Sequence, residues 1–251
     1  MTGISFPAWQ PAPQKPVLAD DAAQVWFSSL QLPAAKLEQF WQTLSPDERR
    51  RAERFHFERD RQGYIAGRGI LRELIGAYLA VAPGEVIFAY GTQGKPCLAC
   101  PQNSGLHFNL SHSHGHAVFA FYWGGEIGVD LEYLRPMPDA VQIASRFFSK
   151  QESGVLLALP PEEQQAAFFD CWTRKEAFIK AGGEGLSRPL AEFDVSFGAG
   201  EQARLLRIGQ DYQPATGWTL RELNLAPGFT GAVCIAGPEV KVNCRSYQSG
   251  L

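Results

Sequence analysis

Residues 172–180 read WTRKEAFIK and sit near the end of a run, 161–181, that predicts a helix stopped by Gly182-Gly183. Glu176 and Lys180 are four apart, so they share one face a single turn from each other. Upstream, IGVDLE at 127–132 alternates so that Asp130 and Glu132 point to the same side of a strand. Three carboxylates and an ammonium that converge suit a divalent cation and a phosphate, because Mg²⁺ takes oxygen ligands from a few carboxylates, water and substrate phosphates. Each element also has a plainer reading. Glu176 and Lys180 alone make a helical ion pair worth about 0.3–0.5 kcal/mol, and a DxE alone is the wet face of an edge strand.

Outward from that helix the chain reads as a duplication. Residues 60–80 predict a long helix with Tyr64, Ile65, Leu71, Leu74, Ile75, Tyr78 and Leu79 as its apolar stripe. Gly67 and Gly69 within it each cost about 1 kcal/mol relative to alanine, which implies close packing there. Strands follow at Val86–Tyr90, Leu106–Leu110 and Ala117–Tyr122, with a turn at Gly91–Pro96 that puts a lysine at a sheet rim. After the second helix, strands are expected at Glu192–Phe197, Ala203–Ile208, Trp218–Asn224 and Gly231–Ala236. The closing strands HAVFAFYW and GAVCIAG look alike, so 60–122 and 161–236 read as two copies of one unit. Gly124-Gly125 between them reads as a hairpin turn, with Glu126–Leu131 the returning strand. The expected architecture is α+β: half-domains 1–124 and 125–251, with Asp130 and Glu132 at the cleft between them.

Ahead of the first long helix, a strand is expected near Gln24–Leu30 and a helix over Pro33–Leu44. Ser45-Pro46-Asp47-Glu48 and Ser149-Lys150-Gln151-Glu152 are capping boxes that each open a further helix. Glu152 is therefore a cap acceptor before it is a catalytic base. Residues 138–148 also predict a helix, while the residues after Gly237 carry no clear pattern.

The 251 residues, 45% hydrophobic and 20% charged with net charge −3, describe an ordinary soluble protein and no nucleic-acid binder. No apolar run approaches the roughly 20 residues of a membrane helix, and the N-terminus lacks a signal-peptide pattern, so a cytoplasmic protein is expected. Cys97 and Cys100 form a CxxC with no second pair and read as a loop bearing two thiols. His112, His114 and His116 form an HxHxH that would line one face of a strand; Ser113 and Gly115 favour a turn, and a zinc site lacks acidic or thiol partners.

The order of these elements carries more than any one of them. GKP, FNLSHS, GVDLE, RFFSKQE and WTRKEAFIKAGGEGL, over residues 45–237, resemble the 4′-phosphopantetheinyl transferases of the longer, pseudo-dimeric, surfactin-synthetase-activating type. The resemblance implies two half-domains related by a pseudo-twofold, each a small, mainly antiparallel sheet on a long helix. It implies transfer of the phosphopantetheine arm of coenzyme A to a serine of an apo carrier protein, releasing adenosine 3′,5′-bisphosphate, by a monomer. Asp130, Glu132 and Glu176 are then ligands of Mg²⁺, or of Mn²⁺. Lys180 stabilises the leaving bisphosphate, and Glu176 or Glu132, directly or through a metal-bound water, takes the serine proton. Coenzyme A contacts fall to Arg51, Thr92, Gln93, Gly94, Lys95, Pro96, Asn109, Ser111 and His112, alongside Asp130, Glu176 and Lys180. His112 would be protonated beside a phosphate, while His114 and His116 match no role. The carrier would meet arginines such as Arg59 and Arg61 and apolar residues near Met137 and Phe147-Phe148. The competing readings are a metal-dependent nucleotide phosphohydrolase and a silent coenzyme A or carrier binder.

Overall fold

The computed structural model describes residues 9–11, 13, 16–91, 93–101, 104–183, 188–209 and 213–247. In chain order the elements are β1 (Gln10–Pro11), β2 (Ala22–Ser29), α1 (Ala34–Thr43), α2 (Pro46–Glu53), α3 (Glu58–Leu79), β3 (Ile87–Tyr90), β4 (Pro96–Cys100), β5 (His107–Ser113) and β6 (His116–Tyr122). They continue with β7 (Ile127–Tyr133), α4 (Ala140–Phe147), α5 (Lys150–Ala158), α6 (Pro161–Gly182), β8 (Phe193–Val195), β9 (Leu205–Ile208), β10 (Gln213–Pro214), β11 (Trp218–Glu222), β12 (Phe229–Ala236) and β13 (Lys241–Ser246). The main sheets run β1-β13-β2-β6-β5 and β11-β12-β7, with small sheets β3-β4 and β10-β9-β8 beside them.

The duplication is present and begins earlier than the sequence suggests. A strand, two short helices and a long one, a small sheet and two further strands occur as β2 through β6 and again as β7 through β12. The sheet orders agree, β2-β6-β5 against β7-β12-β11, and all of these pairings are antiparallel. The α2 and α5 caps match as well. The backbone N–H of Ser45 donates to Glu48 at 3.0 Å and that of Ser149 to Glu152 at 3.0 Å. Both carboxylates are then buried against the following long helix: Glu48 meets Arg68 and Arg72, each at 2.6 Å, and Glu152 meets Lys175 at 2.7 Å. Glu152 thus serves as cap acceptor and buried ion partner. A buried pair holds only when its charges are fully met; Lys175 also donates to the carbonyls of Leu190 and Phe193, tying α6 to β8.

Three apolar clusters make the core. One packs α3 and α1 on the inner face of β2, β5 and β6; another packs α6 on β8, β11 and β12. The third lies between the two sheets, with Val25, Val118 and Ala120 on one side and Val129, Leu131, Val233 and Ile235 on the other. Of the two helix glycines only Gly69 has the expected cause: a Cβ there would fall 2.0 Å from the Phe40 ring, so α1 lies directly on α3, whereas one at Gly67 would make an ordinary 3.9 Å contact with Leu30. Among the described residues no helix is long and apolar enough to cross a membrane.

Several expectations need correction. Gly124-Gly125 is no hairpin: β6 pairs with β2 and β5, β7 pairs with β12, and the glycines carry the chain from one sheet to the other. Cys97 and Cys100 lie on β4, exposed and unbridged, because Cys100 and Cys97 face Ile87 and Ala89 across a ladder. Past Gly237 the chain forms β13, which pairs parallel with β2 in the first sheet. The HxHxH, by contrast, is bent as Ser113 and Gly115 suggested: His112 precedes the last residue of β5, Ser113, then His114-Gly115 is a two-residue turn with φ of 47° and 75°, and His116 starts β6. Positive φ at both positions is what a tight type I′ hairpin requires. Phe148 is no surface residue; it is 4% exposed and stacks on Phe168, leaving Phe147 outside.

Candidate active site

β5 and β7 are the facing edges of the two main sheets, and side chains join them where ladder bonds do not. Small polar residues alternate on β5 and each reaches β7. The Asn109 side-chain oxygen accepts the Val129 N–H at 3.0 Å, Ser111 donates to Asp130 Oδ1 at 2.9 Å, and Ser113 accepts the Tyr133 N–H at 3.1 Å. An open strand edge leaves every second N–H without a partner, and Asn109 and Ser113 supply one at Val129 and Tyr133.

α6 closes the cleft from the other side. Its approach depends on Gly128, where a Cβ would stand 2.2 Å from both the Ala177 carbonyl oxygen and the Ala181 nitrogen. With that contact made, Trp172, Glu176 and Lys180 line a cavity of about 410 Å³ with Leu110, Ser111, His112, Asp130, Leu131 and Glu132. The three carboxylates expected from DxE and WTRKEAFIK are therefore brought to one place, together with Lys180, Ser111 and His112. Trp172, Leu110 and Leu131 were not anticipated as lining.

Lys180 does not pair with Glu176. Its Nζ lies 2.6 Å from Asp130 Oδ1 and 3.0 Å from Ser111 Oγ. Asp130 Oδ2 and Glu176 Oε1 are buried with no hydrogen-bond partner. Buried acceptors without donors are costly, and their neighbours increase the cost. Burial first, then the Asp130 charge, raises the pKa of both Glu132 and Glu176; Lys180 opposes the rise in each. A divalent cation would meet the unpartnered oxygens and cancel the repulsion, and the donor set is all oxygen, as Mg²⁺ requires. Among the described residues no three acidic, histidine or cysteine side chains already stand at ion-binding spacing; Asp130 Oδ1 is engaged by Lys180 instead. His112 is an exposed residue of the cavity wall, and desolvation by the surrounding cleft first, then the Lys180 charge, lowers its pKa.

The other expected contacts are spread more widely. Asn109 is 5% exposed and bound to the β7 backbone. Gln93, Gly94, Lys95 and Pro96 form the β3–β4 turn and its exit, and Thr92 lies outside the described residues. Lys95 crosses to the second half, donating to Glu126 at 2.8 Å and to the Ala181 carbonyl at 3.0 Å, near the end of the helix that carries Lys180. Arg51, on α2, holds its guanidinium 5.6 Å from the Tyr64 ring centre and does not line the cavity. The signal for Ser113, which no motif singled out, is the period of two shared by Asn109, Ser111 and Ser113.

Residues 126–234 match the family model described as the 4′-phosphopantetheinyl transferase superfamily, and residues 31–122 match that of the 4′-phosphopantetheinyl transferase N-terminal region. The chain is 42% identical over 230 residues to the 4′-phosphopantetheinyl transferase HetI of Nostoc sp., covering 91% of this chain and 94% of that one. It is 33% identical over 216 residues to the transferase Sfp of Bacillus subtilis, covering 85% and 92% respectively. To the transferase psf-1 of Bacillus pumilus it is 36% identical over 203 residues, covering 81% and 83%.

Proposed function

Since the chain belongs to the 4′-phosphopantetheinyl transferase superfamily, we propose that it moves the 4′-phosphopantetheine arm of coenzyme A onto a serine of an apo carrier protein. The observation that carries this reading at the site is the pair of unpartnered buried oxygens of Asp130 and Glu176 beside Lys180 and Glu132. A bond forms between the serine oxygen and the phosphorus that bears the pantetheine arm; the bond from that phosphorus to the bridging oxygen breaks; adenosine 3′,5′-bisphosphate leaves.

Asp130, Glu132 and Glu176 would hold Mg²⁺, or Mn²⁺ in its place, and the bound ion would offset charge on the pyrophosphate as it divides. Glu176 or Glu132 takes the serine proton; burial makes each a stronger base than a solvated carboxylate. Lys180 neutralises the departing bisphosphate, leaving Asp130 for it. Ser111 and His112, on the opposite wall, bind coenzyme A phosphates, and a phosphate there favours the protonated His112 that the free site disfavours. Lys95 and Arg51 hold the outlying part of coenzyme A. The half-domains 1–124 and 125–251 supply one wall of the cleft each, so a single chain carries a whole site and acts as a monomer.

Mass measurement of an apo carrier protein after incubation with the protein, coenzyme A and Mg²⁺ tests the reading. One phosphopantetheine on the carrier serine supports it. Hydrolysed coenzyme A with an unmodified carrier would mean a phosphohydrolase, and no change in either would mean a silent binder; the relatives support neither.

A further inference from the structure

The hairpin tip at residues 113–116 has no part in the chemistry above, yet its side chains converge on the end of β7 that bears Glu132. Ser113 Oγ accepts the Tyr133 N–H at 3.1 Å, and its hydroxyl reaches Glu132 Oε2 at 3.4 Å. The His114 ring lies flat on the Tyr133 ring, with centres 4.0 Å apart and planes 10° from parallel. His116 stacks on Phe27 of β2 and meets Phe229 of β12 edge-on, and Phe229 meets Tyr133 edge-on. The cluster therefore ties β2 and the β5–β6 turn of one half to β7 and β12 of the other. It does so one residue beyond Glu132, whose carboxylate lines the cavity.

We propose that Ser113 and His114 are positioning residues for Glu132: the serine fixes its backbone and orients its carboxylate, and the imidazole clamps Tyr133 so that the strand end cannot turn away. The inference rests on Glu132 being a metal ligand. Partners that orient a ligand from behind commonly change metal affinity about 10–100-fold when removed. The serine contributes one hydroxyl at an edge strand, where a register held only by side chains is easily lost.

The test is Mn²⁺ binding to the whole protein with coenzyme A present and no carrier, followed by the electron paramagnetic resonance signal of free Mn²⁺. Ser113→Ala is expected to weaken Mn²⁺ binding about tenfold, with coenzyme A affinity in the absence of metal unchanged. Ser113→Thr, which keeps the hydroxyl, is expected to restore it. His114→Ala should weaken it less, and His114→Phe, which keeps a flat ring, should not. A folded Ser113→Ala protein that binds Mn²⁺ normally, while Glu132→Gln binds it weakly, overturns the clasp and leaves the metal reading intact. A loss that Ser113→Thr fails to restore assigns the effect to disturbed packing and also overturns it. If Asp130→Asn, Glu132→Gln and Glu176→Gln all bind Mn²⁺ normally, the metal reading falls and the clasp with it. Should Ser113→Ala not fold, the His114 pair decides: normal binding by His114→Ala overturns the proposal.

Discussion

Lys180 gives its ammonium to Asp130 and Ser111, while Glu176, one turn earlier on the same helix, keeps a buried oxygen without a donor. Glu176→Gln and Lys180→Ala are therefore expected to lower phosphopantetheine transfer by at least about 100-fold, the scale of losing one charge-stabilising group at a reacting centre. Circular dichroism and the thermal midpoint should stay near wild type, and full activity in either variant would remove that residue from the chemistry. The raised pKa values of Glu132 and Glu176 give a second expectation. Both carboxyls hold their protons to higher pH than a solvated glutamate, so protons compete with the cation there. Mn²⁺ affinity should rise with pH through the region just above the ordinary glutamate value and then level off. Titrations from about pH 5 to pH 7 that show no slope would contradict this. The acidic residues were legible because spacing alone puts Asp130 with Glu132 and Glu176 with Lys180. Lys180's choice of partner was not, since it depends on how near β7 comes to α6.

That distance is set between elements, and the two halves solve it differently. With HAVF of β6 aligned on GAVC of β12, Trp26, opposite Phe119, occupies the place that Gly128 holds opposite Cys234. In the first half the indole fills the space under α3 and donates to Tyr78 at 2.7 Å; in the second, α6 comes down onto bare backbone and the cavity opens beside it. Gly128→Ala should cost about 2–3 kcal/mol in urea unfolding, the range of overpacking against atoms that cannot move aside. A neutral result would show that α6 can shift. The α2 cap gives an acid-stability signature. Burial pushes the Glu48 carboxyl up, but Arg68, the Ser45 N–H and Arg72 outweigh it, leaving the pKa below the ordinary glutamate value. A lowered carboxyl stabilises the fold above its unfolded pKa, and the contribution is lost as pH falls through the lowered folded value. Glu48→Gln should be less stable than wild type at neutral pH, and the difference should shrink on acidification. Caps, long helices and strand positions could be read locally. The role of Gly124-Gly125 could not, because turn chemistry says where a chain bends and not which sheet receives it.

Across the whole molecule, what escaped the sequence is what joins distant parts: β13 beside β2, the sheet edges β5 and β7 meeting through side chains, and Lys95 reaching the end of α6. Such contacts leave no periodic trace, and β13 is too short and mixed to announce its partner. Cys244→Pro would remove a buried N–H from that strand and should destabilise the protein, by about 1–3 kcal/mol for the ladder acceptor left unmet. Hydrogen exchange should then quicken at 22–29 while β7 and β12 stay protected; uniform loss of protection would mean that the sheets unfold as one. The parallel seam between β2 and β13 also sets an order of assembly on the ribosome. All three strands of the second sheet, and α6 with them, emerge before residues 241–246 do. Until then β2 is left as a bare rim, so the half that is translated first is the half that is completed last, a delay in which a nascent chain could recruit a foreign strand.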